Sequence, residues 1–251
     1  MSKSMFDNMN RPKMIIFDYG HTLCHESGFD GVCGTEAILK HAVTNKNNLT
    51  AKEVSSFLNS LYNEIARGAK KQEIEIHNRN FEKFAYEYLQ IDFDLPQEQI
   101  EKIFWDAASP GAAMPDADKV LAYLKKRGIR SGVISNISFG GGNLADRIGR
   151  ILPDNDFEFI IASSEYMYRK PNKMIFELAL RKAGLSAGEV WYCGDSPEYD
   201  VAGAVNAGIF PVWYHSRLER GYGDQSLEAR PGDEHLYIRE WPELIEVLET
   251  L

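Results

Sequence analysis

This chain of 251 residues lacks the features that mark a membrane, nucleic-acid or disulfide-stapled protein. No apolar run approaches the roughly 20 residues that a bilayer-spanning helix needs. The first thirteen residues hold no apolar stretch of the signal-peptide kind and are expected to fray as a polar tail. Cysteine is scarce: Cys24, Cys33 and Cys193 are odd in number, irregular in spacing and without a CxxC pair. That usage excludes a disulfide framework and fits a reduced, cytoplasmic setting. Basic residues are also short, 28 against 37 acidic, for a net charge of −9. Nucleic-acid and anionic-membrane surfaces favour the opposite sign, so neither partner is expected. A small anionic substrate remains compatible, because a local pocket of lysine and backbone N–H groups can hold phosphate in an acidic protein. Internal repeats and low-complexity segments are absent as well.

What is present begins with a short apolar run, Met14-Ile15-Ile16-Phe17, that ends at once in Asp18-Tyr19-Gly20-His21-Thr22. Such a run reads as a buried parallel strand feeding a loop. Helical periods then dominate residues 26–109, with no strand pattern between them, so a small all-helical subdomain is expected there. Its clearest helix starts at Thr50, an N-cap with Glu53 placed for a capping box. Leu49 and Val54 form a staple, and Val54, Phe57, Leu58, Leu61 and Ile65 recur at helical spacing until Gly68. Residues 74–89 and 97–107 also read as helices. Phe81, Phe84, Tyr88, Phe104 and Trp105 are expected to pack this subdomain, and His77 and Arg79 to lie on a solvated face.

From Pro115 onward, helices and strands alternate. Strands are expected over 129–134, 157–161, 190–193 and 209–213. Helices are expected over 118–127, 143–151, 171–183 and 197–206. This order implies an α/β fold with a doubly wound, Rossmann-like parallel sheet covered on both faces. Residues 217–234 read as a loop, 237–238 as a last strand and 241–248 as a closing helix. In open sheets of this kind ligands bind at the carboxyl ends of the strands. That rule singles out Asp18, Ser135, Asn136, Lys170, Asp195 and Asp200. The set is chemically coherent: a carboxylate can attack phosphorus, several carboxylates suit a hard cation such as Mg²⁺, and an ammonium stabilises both nucleophile and phosphoryl oxygens. Pro171 reads as the first residue of a helix, which would put Lys170 at its positive end. The run Gly140-Gly141-Gly142-Asn143 lacks the ending of a P-loop and reads as a turn before a helix.

Four segments in this order resemble the motifs of the haloacid dehalogenase (HAD) superfamily with a helical cap inserted after the first motif. They are Phe17-Asp18-Tyr19-Gly20-His21-Thr22-Leu23, Val133-Ile134-Ser135-Asn136, Arg169-Lys170-Pro171 and Gly194-Asp195-Ser196-Pro197-Glu198-Tyr199-Asp200. The resemblance implies a core of residues 1–25 and 110–251 and a cap of residues 26–109 that closes over the site. It implies a hydrolase, and within the superfamily a Mg²⁺-dependent phosphatase acting on a small phosphorylated metabolite. Asp18 would be nucleophile and metal ligand, Ser135 and Asn136 would bind the transferring group, and Lys170 would anchor it electrostatically. Asp195 would ligate Mg²⁺, Asp200 would support it, and Gly20 would lend its backbone carbonyl. One position departs from the pattern. The family's phosphatases carry an Asp general acid/base two residues after the nucleophile, where this chain has Gly20. His21 is the candidate substitute; its other reading is a residue that shapes the loop. Dehalogenases and phosphonatases of the superfamily also lack that Asp. A dehalogenase would need no Mg²⁺, and a phosphonatase would need a cap lysine, from among Lys40, Lys46, Lys52, Lys70, Lys71 and Lys83. A protein that only senses a phosphorylated ligand is the third class.

Overall fold

A computed structural model describes residues 10–219 and 230–251. Residues 1–9 of the expected frayed tail and 220–229 of the loop at 217–234 therefore lie outside the described residues, whereas the end of that tail is held, with Pro12 buried and Lys13 N–H donating to Glu189 O. Six parallel strands form the central sheet in the order β10-β9-β8-β1-β6-β7. They are β1 (Met14–Phe17), β6 (Arg130–Ser135), β7 (Ile160–Ala162), β8 (Val190–Gly194), β9 (Phe210–Tyr214) and β10 (Leu236–Ile238). Alternate side chains of one strand leave on opposite faces. Ile15, Phe17, Val133 and Cys193 accordingly join one apolar cluster, while Met14, Ile16, Ile134 and Tyr192 join another. The first is covered by helices α5 (Ala117–Arg127), α6 (Gly141–Ile151) and α10 (Trp241–Thr250). The second is covered by α8 (Lys173–Ala183), with Ala204 of the short α9 (Gly203–Asn206) beside it. The chain runs from β1 out to β7 and then returns to β8 on the other side of β1. This reversal opens a crevice at the carboxyl ends of β1, β6 and β8, where an α/β sheet binds its ligand.

Between β2 (Cys24–Glu26) and β5 (Gly111–Ala113), which pair antiparallel, the chain builds a second layer with its own apolar cluster. Its helices are α1 (Gly31–Leu39), α2 (Ala51–Lys71), α3 (Asn78–Leu89) and α4 (Gln97–Ala108). The capping box at Thr50 forms: Glu53 N–H donates to Thr50 Oγ1 and Thr50 N–H donates to Glu53 Oε2. Such a cap contributes about 1 kcal/mol. The helix passes Gly68 and ends at Lys71, and Ile65 stays exposed on its outer face.

The expectation of an all-helical segment is corrected by β3 (Ala42–Asn45) and β4 (Ile91–Phe93), which pair antiparallel. Each is too short to show a period, so tertiary pairing alone reveals them. Phe84 and Tyr88 do not pack inward either; they stack on each other at the surface. Trp105 joins the core sheet's cluster rather than the inserted layer's and stacks on Phe139. His77 and Arg79 both reach Glu165 across the gap to the core, at 3.4 and 2.9 Å. Glu165 belongs to the short helix α7 (Ser163–Tyr166).

Candidate active site

The site forms where three strands stop. Asp18 follows β1, and its N–H donates to Cys193 O of the neighbouring strand, so sheet pairing fixes the first residue of the loop. Ser135 closes β6, Asn136 follows it, and Asp195 follows β8. Lys170 sits on the connection from α7 to α8, beside a cis Lys170–Pro171 peptide. Pro171 is not the first helical residue: α8 begins at Lys173 with Asn172 as its N-cap. Lys170 is thus placed by Asn136 rather than by a helix end. Asn136 Oδ1 accepts from Lys170 N–H at 2.7 Å and its Nδ2 donates to Lys170 O at 2.9 Å. These two bonds use one of the two Nδ2 protons and one lone pair of Oδ1, and they hold the Asn136 side chain against the Lys170 backbone.

At the centre stands the buried ammonium of Lys170. Nζ donates to Asp18 Oδ1 and Asp200 Oδ1, both at 2.6 Å, and to Tyr192 OH at 2.8 Å. All three ammonium protons are used. Burial works against the charge, but the two carboxylates outweigh it and raise the Lys170 pKa. Burial pushes the Asp18 carboxyl up to about 6, with Lys170 opposing the rise. Asp200 is reached through an unusual turn. Residues Pro197–Ala202 wind as a π-helix, with Val201 N–H donating to Ser196 O. That folds Asp200 back so that its Oδ2 accepts from Ser196 N–H at 2.8 Å. Gly194 makes room for it: a Cβ there would lie 2.3 Å from Asp200 Cγ.

Asp18, Asp195 and Asp200 each bring a carboxylate oxygen within 4.8 Å of the others. Three carboxylates thus gather near one ammonium. A hard divalent cation with oxygen ligands suits that donor set. Gly20 and Ser135 line the same cavity, which measures about 400 Å³. His21 does not line it; the residue sits in a left-handed turn at φ 55°. The cavity also meets residues that the strand-end rule does not find. Tyr62, Lys70, Glu75 and Trp105 come from the inserted layer, and Arg169 comes from the core. Arg169 pairs with buried Glu75 at 3.3 Å, and Ser163 Oγ donates to Glu75 Oε2 at 2.9 Å. Tyr192 was detectable in principle, since a tyrosine hydroxyl inside an apolar strand needs a buried partner.

Comparison with known proteins agrees with this geometry. A family model for haloacid dehalogenase-like hydrolases matches residues 12–208. Glyceraldehyde 3-phosphate phosphatase of Pyrococcus furiosus is 29% identical over 254 residues, covering 96% of this chain and 95% of that protein. Phosphoserine phosphatase of Thermus thermophilus is 31% identical over 119 residues, 47% of this chain and 45% of that protein. Among solved structures, a 2-haloacid dehalogenase from Pseudomonas syringae superposes with a TM-score of 0.60 at 22% identity, covering 95% of this chain and 99% of that one. The last likeness speaks for the fold alone. The family match spans the first strand, the inserted layer and all four motif segments, and on that ground the chain belongs to the haloacid dehalogenase-like hydrolases.

Proposed function

We propose that this chain is a Mg²⁺-dependent phosphatase for a small phosphorylated metabolite, working through an aspartyl-phosphate on Asp18. The observation that carries the reading is the Lys170 ammonium, held at 2.6 Å from both Asp18 and Asp200 at the rim that Asp195 shares. Two relatives that bear phosphatase names support the substrate class. In this reading residues 1–25 and 110–251 are the core, and residues 26–109 are a cap whose Tyr62, Lys70 and Trp105 roof the cavity. The three free cysteines suit a cytoplasmic setting.

Asp18, Asp195 and the Gly20 carbonyl would hold Mg²⁺, with Asp200 supporting. Bound there, the ion would offset the repulsion between an anionic nucleophile and an anionic ester. A carboxylate oxygen of Asp18 attacks phosphorus, and the bond from phosphorus to the leaving alcohol oxygen breaks. Lys170 stabilises the charge that moves onto the phosphoryl oxygens, and Ser135 with the Asn136 N–H binds those oxygens. The leaving oxygen takes its proton from water, because Gly20 has none to give. A water then attacks the same phosphorus, releasing phosphate and restoring Asp18. Without a side-chain base, this second step is the slow one. Intact-mass measurement after exposure to acetyl phosphate and Mg²⁺ tests this order. A persistent adduct one phosphoryl group heavier, absent from Asp18→Asn, is expected. Fast turnover with no adduct would show that acid/base help is present after all.

One observation keeps a second reading. Lys70, at the end of α2, lines the cavity, as the Schiff-base lysine of a phosphonatase would. Borohydride reduction in the presence of an aldehyde phosphonate separates the two: a covalent adduct at Lys70 supports the phosphonatase, and its absence supports the phosphatase.

A further inference from the structure

Asp195, read above as a Mg²⁺ ligand, lies one residue past the register that β8 keeps with β9. That register runs as far as Gly194, opposite Trp213. Beyond it, the peptide unit between Asp195 and Ser196 is held at both edges. Its carbonyl, Asp195 O, accepts from Trp213 Nε1–H at 3.0 Å. Its N–H, that of Ser196, donates to Asp200 Oδ2 at 2.8 Å. A peptide group is planar, so holding its oxygen and its hydrogen fixes the plane from which the Asp195 side chain hangs. The same plane joins Asp195 to Asp200, two of the three carboxylates that stand within 4.8 Å of one another.

The indole that holds this carbonyl is itself held. Trp213 is 2% exposed, yet it joins neither of the two apolar clusters that cover the sheet. It packs instead in a box of rings. His215, two residues on and so on the same side of the chain, stacks on it at 4.9 Å and 4°. Tyr237 of β10 lies 5.1 Å away, and His235 meets the indole edge-on at 5.5 Å and 79°. His215 Nδ1 and Tyr237 OH share a hydrogen bond of 3.3 Å. Stacked and edge-on contacts of this kind fix the orientation of a ring, and with it the direction of its N–H.

We propose that Trp213 is a positioning residue for the metal site: its indole N–H, aimed by the rings of His215, His235 and Tyr237, orients Asp195 toward the ion. This rests on the reading of Asp195 as a Mg²⁺ ligand. Trp213 does not line the cavity, so it acts on the ion only through the Asp195 backbone. Packing alone would ask for a ring at this position and not for an N–H directed at one carbonyl. Removing a group that hydrogen-bonds to a metal ligand typically weakens metal binding roughly 10- to 100-fold. A bond to the backbone of the ligand, rather than to its carboxylate, falls at the lower end of that range.

Calorimetric titration of Mg²⁺ alone, without substrate, into the full chain tests this. Trp213→Phe keeps a buried ring and removes the N–H; it is expected to bind Mg²⁺ roughly tenfold more weakly than the parent. Trp191→Phe is the comparison, because it removes an indole 3% exposed near the start of β8, away from the Asp195 carbonyl. It is expected to keep the parent's Mg²⁺ affinity. Tyr237→Ala changes a residue 40% exposed and opens the ring box without touching the N–H. It is expected to weaken Mg²⁺ binding by a smaller factor than Trp213→Phe. Parent affinity in both Trp213→Phe and Tyr237→Ala would overturn the proposal. So would equal weakening in Trp213→Phe and Trp191→Phe, which would make the loss a matter of packing. A parent chain that binds no Mg²⁺ would overturn the reading of the site together with this one, so the two failures are told apart.

Discussion

Lys170 and Arg147, two of the buried cations among the described residues, differ in how their charge is balanced. Lys170 meets Asp18 and Asp200, with Asp195 beside them, so carboxylates outnumber the cation. Arg147, on α6, is as deeply buried, but its surroundings close the balance. It donates to Glu26 and Tyr19 OH at 2.9 Å and to Asp106 at 3.2 Å, bonds Ser109 O, and lies 4.4 Å over the Trp105 ring. Asp106 is shared with Arg150 at 2.8 Å. Arg147 therefore ties the core to both ends of the inserted segment, at Glu26 and Ser109. In the proposed function Lys170 sits in a cluster that would attract a cation and an anionic ester together. The difference separates a joint from a candidate reaction centre, although both are buried ion clusters.

The largest expected effect breaks this contrast directly. Lys170→Met should lower phosphate release at least roughly thousandfold. Its carboxylates then repel one another, so added Mg²⁺ should raise its melting temperature more than it raises that of the parent chain. Arg147→Met should cost about 3–5 kcal/mol of stability, the range for removing one partner of a buried pair. Added Mg²⁺ should recover none of that loss. Denaturant unfolding of both variants, with and without Mg²⁺, checks the pair; equal recovery in both would erase the distinction.

A smaller effect sharpens the reading of the centre. A Cβ at Gly20 would meet only Asp18 Oδ2, 4.0 Å away, so Gly20→Asp fits. Restoring a side-chain acid/base should raise turnover by up to about 10²-fold. An unchanged rate would mean that another group already moves the proton.

The smallest effect concerns a buried carboxyl with no cation at all. Glu82 has its pKa raised in the folded chain to about 8, against 4.5 for the ordinary side chain. The folded state thus holds the proton more tightly than the unfolded one. Its contribution to stability is whole below pH 4.5 and is lost as pH rises towards 8, by up to roughly 1.4 kcal/mol per pH unit. Urea midpoints measured across that window should fall for the parent and flatten for Glu82→Gln. Parallel slopes would place the titration elsewhere.

Much of the candidate site was legible before any coordinates, because strand ends in a parallel sheet are fixed by apolar runs that stop abruptly. Asp18, Ser135, Asn136 and Asp195 fall at such stops, Lys170 and Asp200 lie in the connections that follow, and the fold brings all six to one rim. The sequence pattern fails where long-range pairing decides. Strands β3 and β4 are too short to carry a period, and the turn at Pro197–Ala202 differs from an α-helix only in which carbonyl each N–H finds. Arg147, Glu75 and Asn78 look like surface residues of helices or loops. Their burial comes from the cap lying against the core, which no local window contains. The clamp that Asn136 makes on the Lys170 backbone was not legible either, since the two residues lie far apart along the chain.

Phosphate release from small phosphoesters, with Mg²⁺ and with chelator, for the parent chain beside Asp18→Asn, tests the central claim most directly. The account expects slow release that chelation stops and that Asp18→Asn abolishes. Release that survives the substitution, or that chelation leaves unchanged, would contradict it.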